Sequence, residues 1–286
     1  MKESVIFAGD SYTWGEGLQL YIDNEFWINE RNNPNDWLNL KPKCNSESEK
    51  FREENRFSGI VSNHFEYNLI AFPNDGVTFW ESVDLVEKNL QVPNLKFIVY
   101  QFTILDRLPI IIDNNFLYDN LFSQTDTLSD LFKKYIQYKI FNKQEYFESE
   151  RKINRLNDVY NLNINQIISL SVEEINNFYY NFLCEKFLNK FIENYIKKWQ
   201  KKCPVYFIDS WFPDSSNIIQ KFETIQNNLV PLIGTDGKFY KKWSDWESTF
   251  KYRSIIEEFK NTGNGHPTFE QHKYLAESII KFINER

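Results

Sequence analysis

Apolar residues in this chain gather into short unbroken runs, each closed by a polar turn; between the runs they recur at helical spacing. Ser4-Val5-Ile6-Phe7-Ala8 leads straight into Gly9-Asp10-Ser11, the pattern of a strand buried on both faces that ends in a turn. Tyr67 to Phe72 is a second run, stopped by Pro73-Asn74-Asp75-Gly76. Leu95 to Phe102 and Val205 to Ile208 predict two more strands, and Leu229 to Ile233 a further one. Helices are expected over Phe57 to Val61, from Thr78 to Lys88 and from Phe250 to Lys260. Ser171-Val172-Glu173-Glu174 reads as a capping box. Behind it Ile175, Phe178, Phe182, Phe191, Tyr195 and Trp199 mark a long amphipathic helix, which Pro204 closes. A second box, Thr268 to Gln271, opens a final helix carrying Tyr274, Leu275, Ile279, Ile280 and Ile283.

This alternation of strand, turn and helix predicts a parallel α/β sheet rather than a sandwich of sheets. Two tracts break the rhythm. Gln19 to Glu54 reads as a polar, irregular excursion, and Asp106 to Ser171 as a helical insertion or cap, with helices near Leu128 to Phe141 and Glu145 to Leu156. Gly234 to Trp246 reads as a loop. The expected whole is one domain over 1–286, a three-layer α/β/α arrangement with a mostly parallel sheet and the helical cap around 106–171.

Composition narrows the function classes. Hydrophobic residues make up 42% and charged residues 26% of the 286, which excludes both a disordered chain and a membrane bundle. Val5 to Ala8 is too short for a signal-peptide core, so a cytoplasmic protein with no membrane partner is expected. A net charge of −7 argues against a nucleic-acid partner, which would call for a basic face. Three cysteines (Cys44, Cys184, Cys203) with no C-x-x-C pair point away from a disulfide framework and a zinc site.

Candidate chemistry lies at the two ends of the chain. Ser11 follows the first strand, where parallel sheets place ligands; a helix starting there would put the serine at its positive end. His266, one of three histidines, sits in the glycine-flanked turn Gly263-Asn264-Gly265-His266-Pro267 before the last helix. A serine nucleophile needs a base within hydrogen-bond reach, and imidazole has the suitable pKa. The other two histidines are plainer: His64 reads as a surface or packing residue, and His272 shares no helical face with His266. Gly15-Glu16-Gly17 lacks the spacing of a P-loop or a dinucleotide fingerprint. Trp14, Trp211, Trp243 and Trp246 are candidates to line a sugar-binding cleft.

Taken together, Gly9-Asp10-Ser11-Tyr12-Thr13-Trp14-Gly15-Glu16-Gly17-Leu18 and His266-Pro267 resemble the first and last blocks of the SGNH (GDSL-type) hydrolase superfamily. Arg56 to Gly76 is similar to its second block. The resemblance implies a flavodoxin-like sheet and a serine-dependent ester hydrolase without metal or organic cofactor. Ser11 would be the nucleophile and His266 the general base, with an oxyanion hole from the Ser11 and Gly76 backbone N–H groups. The implied substrate is an O-acyl or O-acetyl ester of a carbohydrate or small metabolite. Leu105 stands where the family has an asparagine donor, so Gln101 or Thr103 is the candidate replacement. Gly263 stands where the family has its acid, which leaves a Ser-His dyad or a displaced carboxylate, with Asp236 and Asp245 as candidates. Those departures keep two alternatives open, a degenerate binding protein and an O-acyltransferase on the same scaffold.

Overall fold

β1 (Ser4–Ala8) is buried along its whole length, as a strand covered on both faces must be. In the computed structural model, which describes residues 2–22, 46–71, 79–102, 111–112, 115–116, 185–211, 213–258 and 266–286, its side chains alternate between two cores. Along the chain follow α1 (Ser11–Trp14), a 3₁₀ turn (Leu18–Tyr21), α2 (Ser46–Asn55), α3 (Phe57–His64), β2 (Asn68–Ile70), α4 (Phe79–Asn89) and β3 (Leu95–Gln101). A small hairpin pairs β4 (Ile111–Ile112) with β5 (Asn115–Phe116). α5 (Glu185–Phe191) runs through a π turn (Ile192–Ile196) into α6 (Lys197–Gln200). Then come β6 (Val205–Ile208), α7 (Pro213–Ile219), α8 (Glu223–Gln226), β7 (Leu232–Ile233), β8 (Phe239–Tyr240), α9 (Trp243–Glu247), α10 (Ile255–Glu258) and α11 (Phe269–Asn284).

The main sheet has the order β2-β1-β3-β6, and every pairing in it is parallel. Leu229 extends it by a parallel bridge to Phe207, so successive sheet positions run 2-1-3-4-5, the flavodoxin-like order. Ile6, Ala8, Ile98, Tyr100 and Phe207 face α4, the α5–α6 helix and α7, with Val86, Phe191, Ile196, Trp199 and Ile219 across from them. Val5, Phe7, Val99 and Ile208 face α3, α9 and α11, meeting Phe57, Val61, Trp246, Leu275 and Ile279. The α/β architecture is therefore as the alternating runs predict. Burying each of the Val, Ile, Leu and Phe side chains among these contributes about 1.5–3 kcal/mol, and β1 is accordingly apolar from Val5 to Ala8, while the one charge in β3, Lys96, stands exposed. Among the described residues no helix is long and apolar enough to cross a membrane.

Several sequence expectations are corrected. Of the Gln19 to Glu54 tract, read as irregular, the described residues 19–22 and 46–54 hold part of the 3₁₀ turn and nearly all of α2, and 23–45 lie outside the described residues. Its hydrophobic pattern is missing because α2 buries Ser48 and Arg52 rather than an apolar stripe. The Arg52 guanidinium lies 3.8 Å over the Trp14 ring, donates to the Trp14 carbonyl at 2.8 Å and pairs with Glu49 at 2.7 Å, so a cation does the work of a core residue. Gly234 to Trp246 is not a plain loop but contains β8 and most of α9. Leu232–Ile233 leaves the main sheet to pair antiparallel with Phe239–Tyr240. Among the described residues of the expected Phe250 to Lys260 helix, Ile255–Glu258 is helical, and 259–260 lie outside them; Phe250 instead wedges edge-on against Trp246 (4.9 Å) and Tyr274 (5.2 Å). Of the 106–171 insertion, only the β4–β5 hairpin falls among the described residues. The Ser171 capping box and residues 175–182 lie outside them.

Asp209, directly after β6, is buried. Its Oδ2 accepts from Ser216 Oγ (2.6 Å), the Trp243 N–H (3.2 Å) and Gln220 Nε2 (3.3 Å), while Oδ1 has no hydrogen-bond partner. Burial outweighs these donors and pushes the carboxyl up from 3.8 to about 6. Native protein thus holds a proton between those values that unfolded chain has released, so this group's contribution to stability is fully present below about pH 4 and lost as pH rises through about 6. Asp209→Asn, whose amide oxygen can take the three donors, removes that dependence. Urea unfolding at pH 4 and pH 7 is expected to show the variant gaining about 2–3 kcal/mol on wild type between the two pH values.

Candidate active site

The order of the sheet reverses beside β1, because the chain leaves on one side to β2 and on the other to β3. At such a switch point the loops after neighbouring strands diverge and open a crevice at the strands' C-terminal ends. Gly9-Asp10-Ser11 and Gln101 both lie there. Asp10 caps α1, its Oδ1 accepting from the Tyr12 N–H at 3.0 Å and its Oδ2 from Trp211 Nε1 at 3.2 Å. Thr13 Oγ1 donates to Gln101 Oε1 at 2.5 Å, and Ser82 Oγ donates to the Gly9 carbonyl at 2.7 Å. These bonds clamp the turn to β3 and α4. A side chain at Gly9 has no room, since its Cβ would stand 2.1 Å from Thr13 Oγ1 and 2.9 Å from Gln101 Cβ. Ser11 therefore projects, half-buried, from the first residue of α1.

The second half of the site arrives from the far end of the chain. Thr268 and Gln271 form the expected capping box of α11, with Thr268 Oγ1 accepting from Gln271 N–H at 3.2 Å and Gln271 Oε1 from Thr268 N–H at 2.7 Å. The start of that helix is pinned twice more. Tyr21, donating to Glu258, accepts from the Phe269 N–H at 3.0 Å, and the His266 carbonyl accepts from the Ile255 N–H at 2.8 Å. Burial and the Glu258 carboxylate hold the Tyr21 hydroxyl well above its ordinary range, so it stays a donor. The His266 ring packs edge-on against Tyr12 at 5.0 Å. Its Nε2 stands 2.6 Å from Ser11 Oγ, across 255 positions of sequence.

A third group meets the imidazole. Glu16 Oε2 is 3.2 Å from the same His266 Nε2, with the two side chains 24% and 19% exposed. The carboxylate is aimed by its flanks, because Gly15 (φ +82°) and Gly17 (φ +93°) both take the left-handed backbone that ordinary side chains avoid. Sequence reasoning treats Gly15-Glu16-Gly17 as a failed nucleotide motif and as part of the SGNH-like first block, and gives the glutamate no role of its own. The available signal was the pair of glycines bracketing one acid, four and six residues after Ser11. The two displaced-acid candidates are elsewhere: Asp236 accepts from the Lys238 N–H (3.1 Å) and Tyr240 hydroxyl (2.8 Å), and Asp245 is exposed on α9.

Of the predicted site residues, Ser11, His266 and Gln101 are described. The first two are in hydrogen-bond contact. Gln101 is buried beneath the turn, its Oε1 taken by Thr13 and its Nε2 without a hydrogen-bond partner. Gly76, Thr103, Leu105 and Gly263 lie outside the described residues. Trp14, Trp243 and Trp246 do not line a cleft, because all three are buried in packing, whereas Trp211 is half-buried with its ring 5.3 Å from Tyr12. His64 is exposed beside Phe65. His272 is fully buried and takes the Phe57 N–H on Nδ1 at 3.3 Å; burial drives its pKa down from 6.5 to about 3, so it stays neutral. Cys203 is a buried free thiol. Among the described residues no group of three or more His, Cys, Asp or Glu could hold a metal ion. Against family models, curated proteins and solved structures the chain has no match.

The turn after β1 predicts its own test. Gly9→Ala forces the methyl into Thr13 and Gln101, and the clash is expected to cost about 1–3 kcal/mol in urea unfolding followed by tryptophan fluorescence. The site should suffer as well as the fold, because displacing α1 moves Ser11 away from His266.

Proposed function

We propose that the protein is a serine-dependent ester hydrolase that removes an O-acyl or O-acetyl group from a carbohydrate or small metabolite in the cytoplasm. The observation that carries this reading is the 2.6 Å contact between Ser11 Oγ and His266 Nε2 at the switch point of a parallel sheet. The resemblance of the first and last motifs to SGNH hydrolases supports it, since the same two residues are the ones that motif would make nucleophile and base. In the first half-reaction the Ser11 proton passes to His266 Nε2 while Oγ bonds to the ester carbonyl carbon. The tetrahedral intermediate then collapses, the leaving alcohol takes the proton from Nε2, and an acyl-serine remains. Water repeats the sequence with His266 again as base, releasing the acid and restoring the serine.

Charge develops on the carbonyl oxygen, and the Ser11 backbone N–H in the first turn of α1 is the donor that the motif assigns to it, with Gly76 as the second. Such a donor is worth about 2.7–4 kcal/mol when aimed at the developing oxyanion. Incubation with a fluorophosphonate probe and with p-nitrophenyl acetate tests the proposal. Wild type is expected to be labelled at Ser11 and to release p-nitrophenol; Ser11→Ala should lose labelling entirely, and His266→Ala should lose at least about 100-fold in kcat/KM, the usual scale of general-base loss. An unlabelled, correctly folded wild type would overturn it in favour of a binding protein.

A further inference from the structure

The structure places a carboxylate where it bears on the nitrogen that exchanges the proton. Three facts define the arrangement. Glu16 Oε2 lies 3.2 Å from His266 Nε2. That same nitrogen lies 2.6 Å from Ser11 Oγ. Two glycines with positive φ fix the turn that presents the glutamate. In the familiar serine triad the acid faces the other ring nitrogen and sets the tautomer. A carboxylate facing Nε2 has a different consequence. It is repelled by the lone pair that accepts the Ser11 proton and attracted by the N–H that results.

We propose that Glu16 is a positioning residue that stabilises the Nε2-protonated imidazolium of His266, and thereby sets the pH range over which Ser11 can be activated. The proposal rests on the hydrolase reading for its kinetic meaning, though not for its electrostatics. Glu16 remains a carboxylate throughout: the proton moves from Ser11 Oγ to His266 Nε2 and on to the leaving alcohol, and no bond to Glu16 forms or breaks. Ser11 and Tyr12 face the imidazole from α1, and Glu16 from the glycine turn. From α11 it feels His272, which is held neutral; Arg56, just before α3, bears on His272 too and packs its Cβ against Gly15 in the turn that carries Glu16. α10 contributes the Ile255 N–H to the His266 carbonyl, while its Glu258 is engaged by Tyr21. Glu16 is thus the carboxylate in contact with the ring among the described residues.

The same interaction acts twice on the rate. It stabilises the imidazolium that forms as Ser11 attacks, which raises the plateau. It also stabilises the resting imidazolium, which is inactive, and so moves the acid limb to higher pH. If both states gain equally, the two effects cancel where the resting base is already protonated. Removing the charge must therefore lower the plateau and shift the limb down together, leaving the acid sides of the two profiles superimposed. A loss of packing would instead scale the rate down at every pH.

The test uses the full chain, with the isosteric Glu16→Gln beside wild type. Fluorophosphonate inactivation rates between pH 5 and pH 10 are expected to show the Glu16→Gln midpoint about one unit lower and its plateau about tenfold lower, since one unit corresponds to one factor of ten. In parallel, proton NMR follows the His266 ring in Ser11→Ala and in Ser11→Ala/Glu16→Gln, with only three histidines to assign. The His266 titration is expected to fall by about one unit when the carboxylate is removed. A uniform rate loss with an unmoved midpoint, or a His266 titration that ignores the substitution, would overturn the proposal. An NMR shift in a protein whose wild type is never labelled would keep Glu16's role at the imidazole and sink the hydrolase reading instead.

Discussion

Side chains from α1 and β3 close so tightly around Gly9 that no side chain fits there, and the site is built outward from that constraint. With Thr13 and Gln101 pressed against the vacant Cβ position, the chain can leave β1 along one path, held by the Thr13–Gln101 and Ser82–Gly9 hydrogen bonds. Asp10 then has to turn back and cap α1, and the next residue, Ser11, stands at the rim of the crevice. Preorganisation of this kind matters because a reacting group displaced by about 1 Å can lose about 100-fold in rate. The position of Ser11 is therefore set by contacts below it, among buried groups.

His266 is held by an independent set of bonds. A capping box, a tyrosine hydroxyl and one backbone hydrogen bond determine where α11 begins and hence where His266 stands. Both sets lie at the same end of the sheet. The Phe7–Phe57 edge contact joins β1 to α3, and the buried His272 joins α3 to α11 through the Phe57 N–H. That histidine could not do this if charged, which is why its burial and neutrality belong to the architecture of the site even though it takes no part in the chemistry.

Much of this is legible in the sequence itself. Unbroken apolar runs at Val5 to Ala8, Leu95 to Phe102 and Val205 to Ile208 have one stable solution, a sheet covered on both faces, and the boundaries fall within a residue or two of those expected. α11 was legible to its first residue because a capping box is a local interaction. α2 was not. Its buried side is Ser48 and Arg52, and a guanidinium becomes a core group only when an indole lies beneath it and a carboxylate beside it. The tryptophans misled for the opposite reason, since three of the four fill the interior where aromatic area is worth most.

Local rules fix the class of fold and the two residues with suitable chemistry, because hydrophobic period, turn glycine and helix cap act over a few neighbouring positions. They cannot say which carboxylate answers His266. The usual place, Gly263, carries none; Asp236 and Asp245 were as good on paper as any other. Glu16 meets the ring because β1 ends and α11 begins on the same side of the sheet and two glycines shape the turn that carries the glutamate. Electrostatic contact depends on distance through space, and across a sequence separation of 250 positions (266 − 16) only the folded chain sets that distance.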